Sequence, residues 1–271
     1  MDEFADKVAV ITGGASGIGL ATARRLAAEG MRIVLADIEA GPLEDAGREI
    51  EALGAEVLTV RTDVGDRAQV EALAAATWGR FGGAHVLFNN AGVAVSGPIQ
   101  EMTHEDWEWS IRVNLWGVIH GIEAFVPRMI AQGEGGHIVS TASFAGLVPN
   151  TGLGVYCVTK YGVVALSECL FRDLSAEGIG VSVLCPMRVQ TNIDSSARNR
   201  PAELGGTGAP PPREQVEQEV AQYLAGGTIT AEEVAEKVLW AIRRGELYIL
   251  PHQESRGFIR RRFERIDRAF G

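Results

Sequence analysis

The segment from Val8 to Gly30 restricts the possible folds of this chain more than any other. Val8 to Thr12 (VAVIT) is apolar and β-branched, the composition of a strand buried on both faces. Gly13, Gly14, Ala15, Ser16, Gly17, Ile18 and Gly19 follow without a break, and Leu20 to Gly30 is an Ala-rich helical stretch closed by a glycine. A strand that feeds a glycine turn opening a helix leaves the first helical N–H groups unpaired beside bare backbone, which makes a pyrophosphate site. The spacing is G-x-x-x-G-x-G rather than the commoner G-x-G-x-x-G. A glycine-rich turn alone can be just a tight loop, so its place between strand and helix gives it meaning. A second strand, Arg32 to Ala36, ends at Asp37, eighteen residues past Gly19, where a carboxylate can accept hydrogen bonds from an adenosine ribose. Asp37 would repel a 2′-phosphate, and neither Ser16 nor Ile38 supplies a cation to offset it, so the pattern predicts NAD over NADP. A turn or helix-capping aspartate is the other reading of Asp37.

Tyr156 and Lys160 are four residues apart in a chain with three lysines and four tyrosines. On a helix these positions share a face, so phenol and ammonium point into the same space. A cation within ~4–6 Å favours the phenolate and can draw a tyrosine from its ordinary ~10 toward neutrality, fit for general acid and base work. The pair also fits an amphipathic helix with one exposed lysine.

Strand and helix patterns alternate onward without a break in composition. Helices are expected over Leu43–Leu53, Gln69–Trp78, Glu105–Ala131 and from Tyr156 to about Ala176, with strands at Glu56–Arg61, His85–Phe88, His137–Thr141 and Val181–Cys185. Such alternation predicts one α/β domain over residues 1–271. It is a Rossmann-type, doubly wound parallel sheet of about seven strands with helices on both faces and the ligand at the strands' carboxyl ends. The net charge of −10 speaks against nucleic-acid binding. No apolar run approaches the ~18 residues of a membrane span, and the opening MDEFAD lacks the basic and apolar regions of a signal peptide, so a soluble, cytoplasmic chain is expected. Cys157, Cys169 and Cys185 show neither metal-ligand spacing nor an even count for a disulfide framework. Residues 187–227 include PAELGGTGAPPPRE, which resists regular structure and suggests a substrate lid or a disordered excursion. A helix from about Ala231 to Arg243 and a short strand, Leu247–Leu250, precede a helical tail over 252–271. The tail carries Ile259, Phe263, Ile266 and Phe270 on one stripe among six arginines, suited to docking on its own or a partner subunit.

Thr12-Gly13-x-x-x-Gly17-x-Gly19, Asp63, Asn89-Asn90-Ala91-Gly92, Asn114, Ser143 and Tyr156-x-x-x-Lys160 occur in the order and spacing of a known family. Over nearly its whole length the chain resembles the short-chain dehydrogenases/reductases. The resemblance implies that Tyr156 exchanges a proton with the substrate oxygen, Ser143 hydrogen-bonds it, Lys160 holds the nicotinamide ribose and lowers the tyrosine pKa, and Asn114 anchors a water. It also implies that Asp63 and Val64 flank adenine, that Asn90, with Ala91 and Gly92, lines the cofactor cleft, and that Val189 and Thr191 bind the carboxamide. Where the family has Pro-Gly, this chain has Pro186-Met187, which changes the substrate wall and suggests that Met187, Phe144 and Leu153 favour a bulky apolar substrate. Asn192-Ile193 through Arg200-Pro201-Ala202 and the run Leu247-Tyr248-Ile249-Leu250-Pro251 resemble a bacterial subgroup oxidising benzylic alcohols of lignin-derived aryl ethers. The expectation is an NAD-dependent enzyme interconverting a secondary alcohol and its ketone, as a homodimer or homotetramer built on the Glu105 and Tyr156 helices. Two readings stay beside it, a 3-ketoacyl-thioester or steroid reductase and a nucleotide-sensing protein without chemistry.

Overall fold

The computed structural model describes Met1 and residues 3–207 and 227–271. Among them, seven strands form one parallel sheet: β1 Val8–Thr12, β2 Arg32–Asp37, β3 Val57–Arg61, β4 Val86–Asn89, β5 Gly136–Thr141, β6 Ile179–Leu184 and β7 Tyr248–Ile249. Their order is β3-β2-β1-β4-β5-β6-β7. The chain runs outward from β1 to β3, then returns to the other side of β1 with β4, so the carboxyl ends of β1 and β4 diverge into a crevice.

Strand residues alternate between two packed layers. Ala9 and Ile11 join one core with Leu26 of helix α1 (Gly17–Ala28), Ile50 of α2 (Ala40–Ala52) and Val238 of α7 (Ala231–Arg244). Val8 and Val10 join the other, with Leu73 of α3 (Arg67–Phe81) and Phe125 of α5 (Gly117–Gln132). With both faces covered, central strands read as continuous apolar runs, whereas edge strand β3 keeps exposed positions.

The stretch expected as one helix between Glu105 and Ala131 is divided. Helix α4 (His104–Ile111) passes through a π-helical turn, Arg112–Trp116, into α5. Asn114, within that turn, exchanges hydrogen bonds with the Val93 main chain, N–H to Oδ1 at 2.8 Å and Nδ2 to O at 2.9 Å. Such local turns widen a helix where a side chain must reach a neighbouring element.

Helix α6 (Gly154–Asp173) meets the length and composition of a membrane span, contrary to the expectation that no run comes close. It lies against the sheet with Val163 and Val164 in the core. The tail helix α8 (Ser255–Asp267) differs from expectation in the face it uses. Phe258 packs edge-on against Phe144 with ring centroids 5.7 Å apart, and Arg262 lies over the Tyr161 ring, whereas Phe263, Ile266 and Phe270 stay exposed. Of the segment read as a lid, residues 208–226 lie outside the described residues; 187–207 run over the sheet's carboxyl edge as two 3₁₀ turns, Ile193–Asn199 and Ala202–Leu204.

Candidate active site

A cleft of ≈ 350 Å³ opens along the carboxyl ends of the strands. At one end is the turn after β1, where Gly13, Ser16, Gly17 and Ile18 line the wall. A Cβ on Gly13 would meet the Ala91 Cα at 2.9 Å, and both Gly13 and Gly17 have positive φ. Gly19, expected as a cofactor contact, does not line the cleft. A Cβ there would meet the Gly13 oxygen at 2.1 Å, so its bareness serves the packing of α1 on the turn. Ser16 begins α1 without capping it by its side chain, which leaves the first helical N–H groups for an anion. These features fit the pyrophosphate of a dinucleotide.

Asp37 ends β2 beside that turn and is held by N–H groups of Ala15 and Glu39, both at 3.1 Å. Burial raises its carboxyl pKa against the lowering effect of those donors. Ile38, Asp63 and Val64 continue the wall. Asp63 pairs with Arg112 at 3.0 Å, placing a cation at this end that motif spacing does not reveal. Asn90 stitches three strand ends together: its Nδ2 donates to the Thr12 and Gly13 carbonyls, and its Oδ1 accepts from the Thr141 hydroxyl. Ala91 and Gly92 extend the wall toward Lys160.

The other end holds Ser143, Tyr156 and Lys160. Ser143 leaves β5 in extended backbone, accepts the Ala145 N–H at 3.1 Å and donates to the Pro186 carbonyl at 3.4 Å. Lys160 is 2% exposed, donates from Nζ to the Thr141 carbonyl at 2.8 Å and lies 5.5 Å from the centre of the Tyr156 ring. Burial pushes the Tyr156 phenol up to about 12, offset in part by its hydrogen bond with Ser143. Burial also draws the Lys160 ammonium down to about 8. Both directions follow from the desolvation of the packed pair, with the Ser143 hydrogen bond opposing it at the phenol. Asn114 is brought near the set but not into it: it is fully buried, and its amide is engaged by Val93, Ser110 and Thr159. The side chain ties the loop after β4 to α6.

Phe144, Leu153, Pro186 and Met187 wall the far end, and Val189 and Thr191 continue along the turn after β6. The Thr191 methyl would lie 3.0 Å from a Cβ on Gly17, so this turn closes on the glycine loop. Sequence reasoning missed what holds that closure. Arg198 makes a two-pronged ion pair with Glu39, at 2.9 and 2.7 Å, and Arg200 reaches Asp106 at 2.5 Å while lying over Trp109. Partners separated by 159 and 94 residues leave no local signal.

The family model described as short chain dehydrogenase matches residues 7–202. A C alpha-dehydrogenase of Sphingobium sp. is 38% identical over 267 residues, 98% of this chain and 87% of its own. A 1-deoxy-11-beta-hydroxypentalenate dehydrogenase of Streptomyces avermitilis is 35% identical over 249 residues, 91% and 85% of the two chains. Among solved structures, a short chain dehydrogenase/reductase from Burkholderia phymatum in complex with NAD superposes with a TM-score of 0.91 at 43% identity, over 98% of this chain and 96% of that one. The chain belongs to the short-chain dehydrogenases, an oxidoreductase family.

Proposed function

We propose that this chain interconverts a bulky, aryl-bearing secondary alcohol and its ketone with NAD as the redox partner. The observation that carries the reading is a single cleft with an anion cradle and Asp37 at one end and Ser143, Tyr156 and Lys160 between apolar side chains at the other. NAD(H), when bound, supplies or accepts the hydride. Ser16, Gly17, Ile18 and the N–H groups of α1 hold the pyrophosphate, Asp37 and Ile38 the adenosine ribose, and Asp63 and Val64 the adenine. Tyr156 gives its phenolic proton to the carbonyl oxygen in reduction and takes it back in oxidation. Ser143 donates a hydrogen bond to that oxygen, and the buried Lys160 ammonium holds the ribose hydroxyls and the electrostatics of the phenol. Asn114 positions the set through Val93 and Thr159.

Phe144, Leu153 and Met187 are the apolar wall for the aryl group, in keeping with the C alpha-dehydrogenase similarity. Residues 187–227 act as the substrate lid, the enzyme works in the cytoplasm, and it assembles as a homodimer or homotetramer. The exposed Trp116 and Val158, on the elements read as an interface, support assembly. A panel of aryl and aliphatic secondary alcohols and ketones, 3-ketoacyl thioesters and steroids, read by NADH absorbance with NAD and NADP, tests the reading. The strongest turnover should be on an aryl alcohol with NAD. Tight NADH binding without turnover across the panel would instead mark a nucleotide-sensing protein.

A further inference from the structure

The Pro186–Arg188 turn is the point where the sequence leaves the Pro-Gly pattern, and it forms the wall beside the catalytic tyrosine. Its supports come from three places. The Pro186 carbonyl accepts from the Phe144 N–H at 2.8 Å, tying the turn to the end of β5. The Arg188 carbonyl accepts from the Ile229 N–H at 3.2 Å. The third support is a side chain. His252, 3% exposed, accepts the Met187 N–H on Nδ1 at 3.1 Å, and its Nε2 is 3.0 Å from the Arg188 carbonyl.

The two partners fix the state of the ring. A nitrogen that accepts an N–H carries no proton, so the imidazole is neutral with its hydrogen on Nε2, which donates to Arg188. One ring thus brackets the backbone on both sides of the Met187 side chain. The ring is itself anchored: the Ser255 hydroxyl donates to the His252 carbonyl at 2.6 Å, where the chain enters α8. Three residues further, Phe258 braces Phe144, the facing wall of the same pocket. The C-terminal segment therefore touches the substrate wall twice from behind, although neither His252 nor Phe258 lines the cleft.

We propose that His252 is a positioning residue for substrate selectivity, holding the Met187 turn in the one setting that presents the methionine to the bulky group of the substrate. This rests on the substrate reading above. A glycine at position 187 would present no side chain to aim, whereas a methionine with three rotatable bonds needs a fixed backbone to give a defined surface. Removing the ring's two hydrogen bonds takes the Met187 N–H's partner and leaves the Arg188 carbonyl with the Ile229 N–H alone, so the turn loses its fixed shape.

His252→Leu removes both bonds, and His252→Gln keeps an acceptor and a donor at the spacing of the ring nitrogens. Two readouts are taken on the intact NAD-loaded protein: hydrogen exchange of the Met187 amide, and kcat/KM for 1-phenylethanol against 2-butanol. In His252→Leu the amide should exchange at least about tenfold faster, and kcat/KM should fall about tenfold on 1-phenylethanol but less than about threefold on 2-butanol, with His252→Gln near wild type in both. Unchanged exchange at Met187, equal losses on the two alcohols, or no rescue by glutamine would overturn the proposal. Should His252→Leu fail to fold, His252→Gln and His252→Asn carry the same comparison, because asparagine reaches only the Met187 N–H. Selectivity in His252→Asn that matches the glutamine variant despite the lost side-chain bond to the Arg188 carbonyl would also count against it. A wild type without preference for 1-phenylethanol would sink the substrate reading alone, since amide exchange would still report on His252.

Discussion

Tyr156 keeps its proton across the neutral range because burial penalises the phenolate more than the Ser143 hydrogen bond favours it. A raised pKa preserves the proton donor needed for ketone reduction, whereas alcohol oxidation must first remove that proton. Oxidation should therefore rise with pH from neutrality, while reduction stays level and then declines as Lys160 discharges near pH 8. Tyr156→Phe should cut kcat about 10²–10⁴-fold in both directions with NADH affinity nearly intact, measured by steady-state kinetics and fluorescence titration. Oxidation that slows between neutral and mildly alkaline pH would contradict the assignment. At the other end, Asp37→Ser with Ile38→Arg should move preference toward NADP by about 1–3 kcal/mol, read as the ratio of kcat/KM values. Arg198 sits within electrostatic reach of Asp37 but is engaged by Glu39, so the wild type should not already favour NADP. Met187→Gly should lower kcat/KM for an aryl alcohol by about 1–2 kcal/mol and change a small aliphatic alcohol much less. Equal losses on both would place the side chain outside the substrate contact.

The segment after β6 owes its position to two cations. Arg198 binds Glu39 with both prongs and turns its remaining nitrogen onto Asn192 and Ser195, folding the 3₁₀ turn back on itself. The same residue thus shapes the segment and fastens it to the loop that carries Asp37 and Ile38. Partly exposed ion pairs contribute little to global stability, but this one joins two walls of the cofactor cleft. Arg198→Ala should raise the NADH dissociation rate about three- to tenfold with little loss of melting temperature, measured by stopped-flow displacement and thermal unfolding. An unchanged dissociation rate would mean that the pair plays no part in cofactor retention. The π-helical turn before α5 follows the same logic at shorter range: an irregular step in a helix lets Asn114 meet Val93 on one side and Thr159 on the other.

At the scale of the whole molecule, acid stability is tied to a histidine between strands. His137 on β5 is 1% exposed, and its Nε2 lies 2.7 Å from the Ser182 hydroxyl of β6. The Ser182 hydroxyl in turn donates to the Glu246 carbonyl at 2.6 Å, so the ring Nε2 is its donor. Burial pushes this imidazole from an ordinary 6.5 down to about 3, with the amino terminus adding to the effect. A pKa depressed by folding contributes stability that is complete above the unfolded value and lost as pH falls from 6.5 toward 3. The loss reaches as much as ~4 kcal/mol at the acid end. His137→Gln can keep the donor to Ser182 without titrating, so its melting temperature should fall less than that of the wild type between neutral pH and about pH 4. Parallel curves for the two proteins would show that His137 does not set the acid limit.

Much of the architecture was legible in the sequence because its causes are local. A β-branched run, a glycine turn and an Ala-rich helix impose their own backbone preferences, and repeated alternation leaves the doubly wound parallel sheet as the way to bury both faces of each strand. Asp37, Ser143, Tyr156 and Lys160 were recognisable because each stands at a strand end or one helical turn from a partner. What depended on distance was not legible. Nothing in the order of residues brings Glu39 to Arg198, Asp63 to Arg112 or His252 to Met187, since each pair meets only after the strands have been laid in sheet order. The proton balance at Tyr156 was hidden for the same reason. A tyrosine–lysine spacing specifies proximity, but desolvation is set by everything packed around the pair, and here it decides the direction of both shifts. The sequence by itself determined the elements and the identity of the reacting groups. Tertiary structure decided their protonation, the fastening of the segment after β6 and the shape of the wall around Met187, because those are sums over contacts between distant residues.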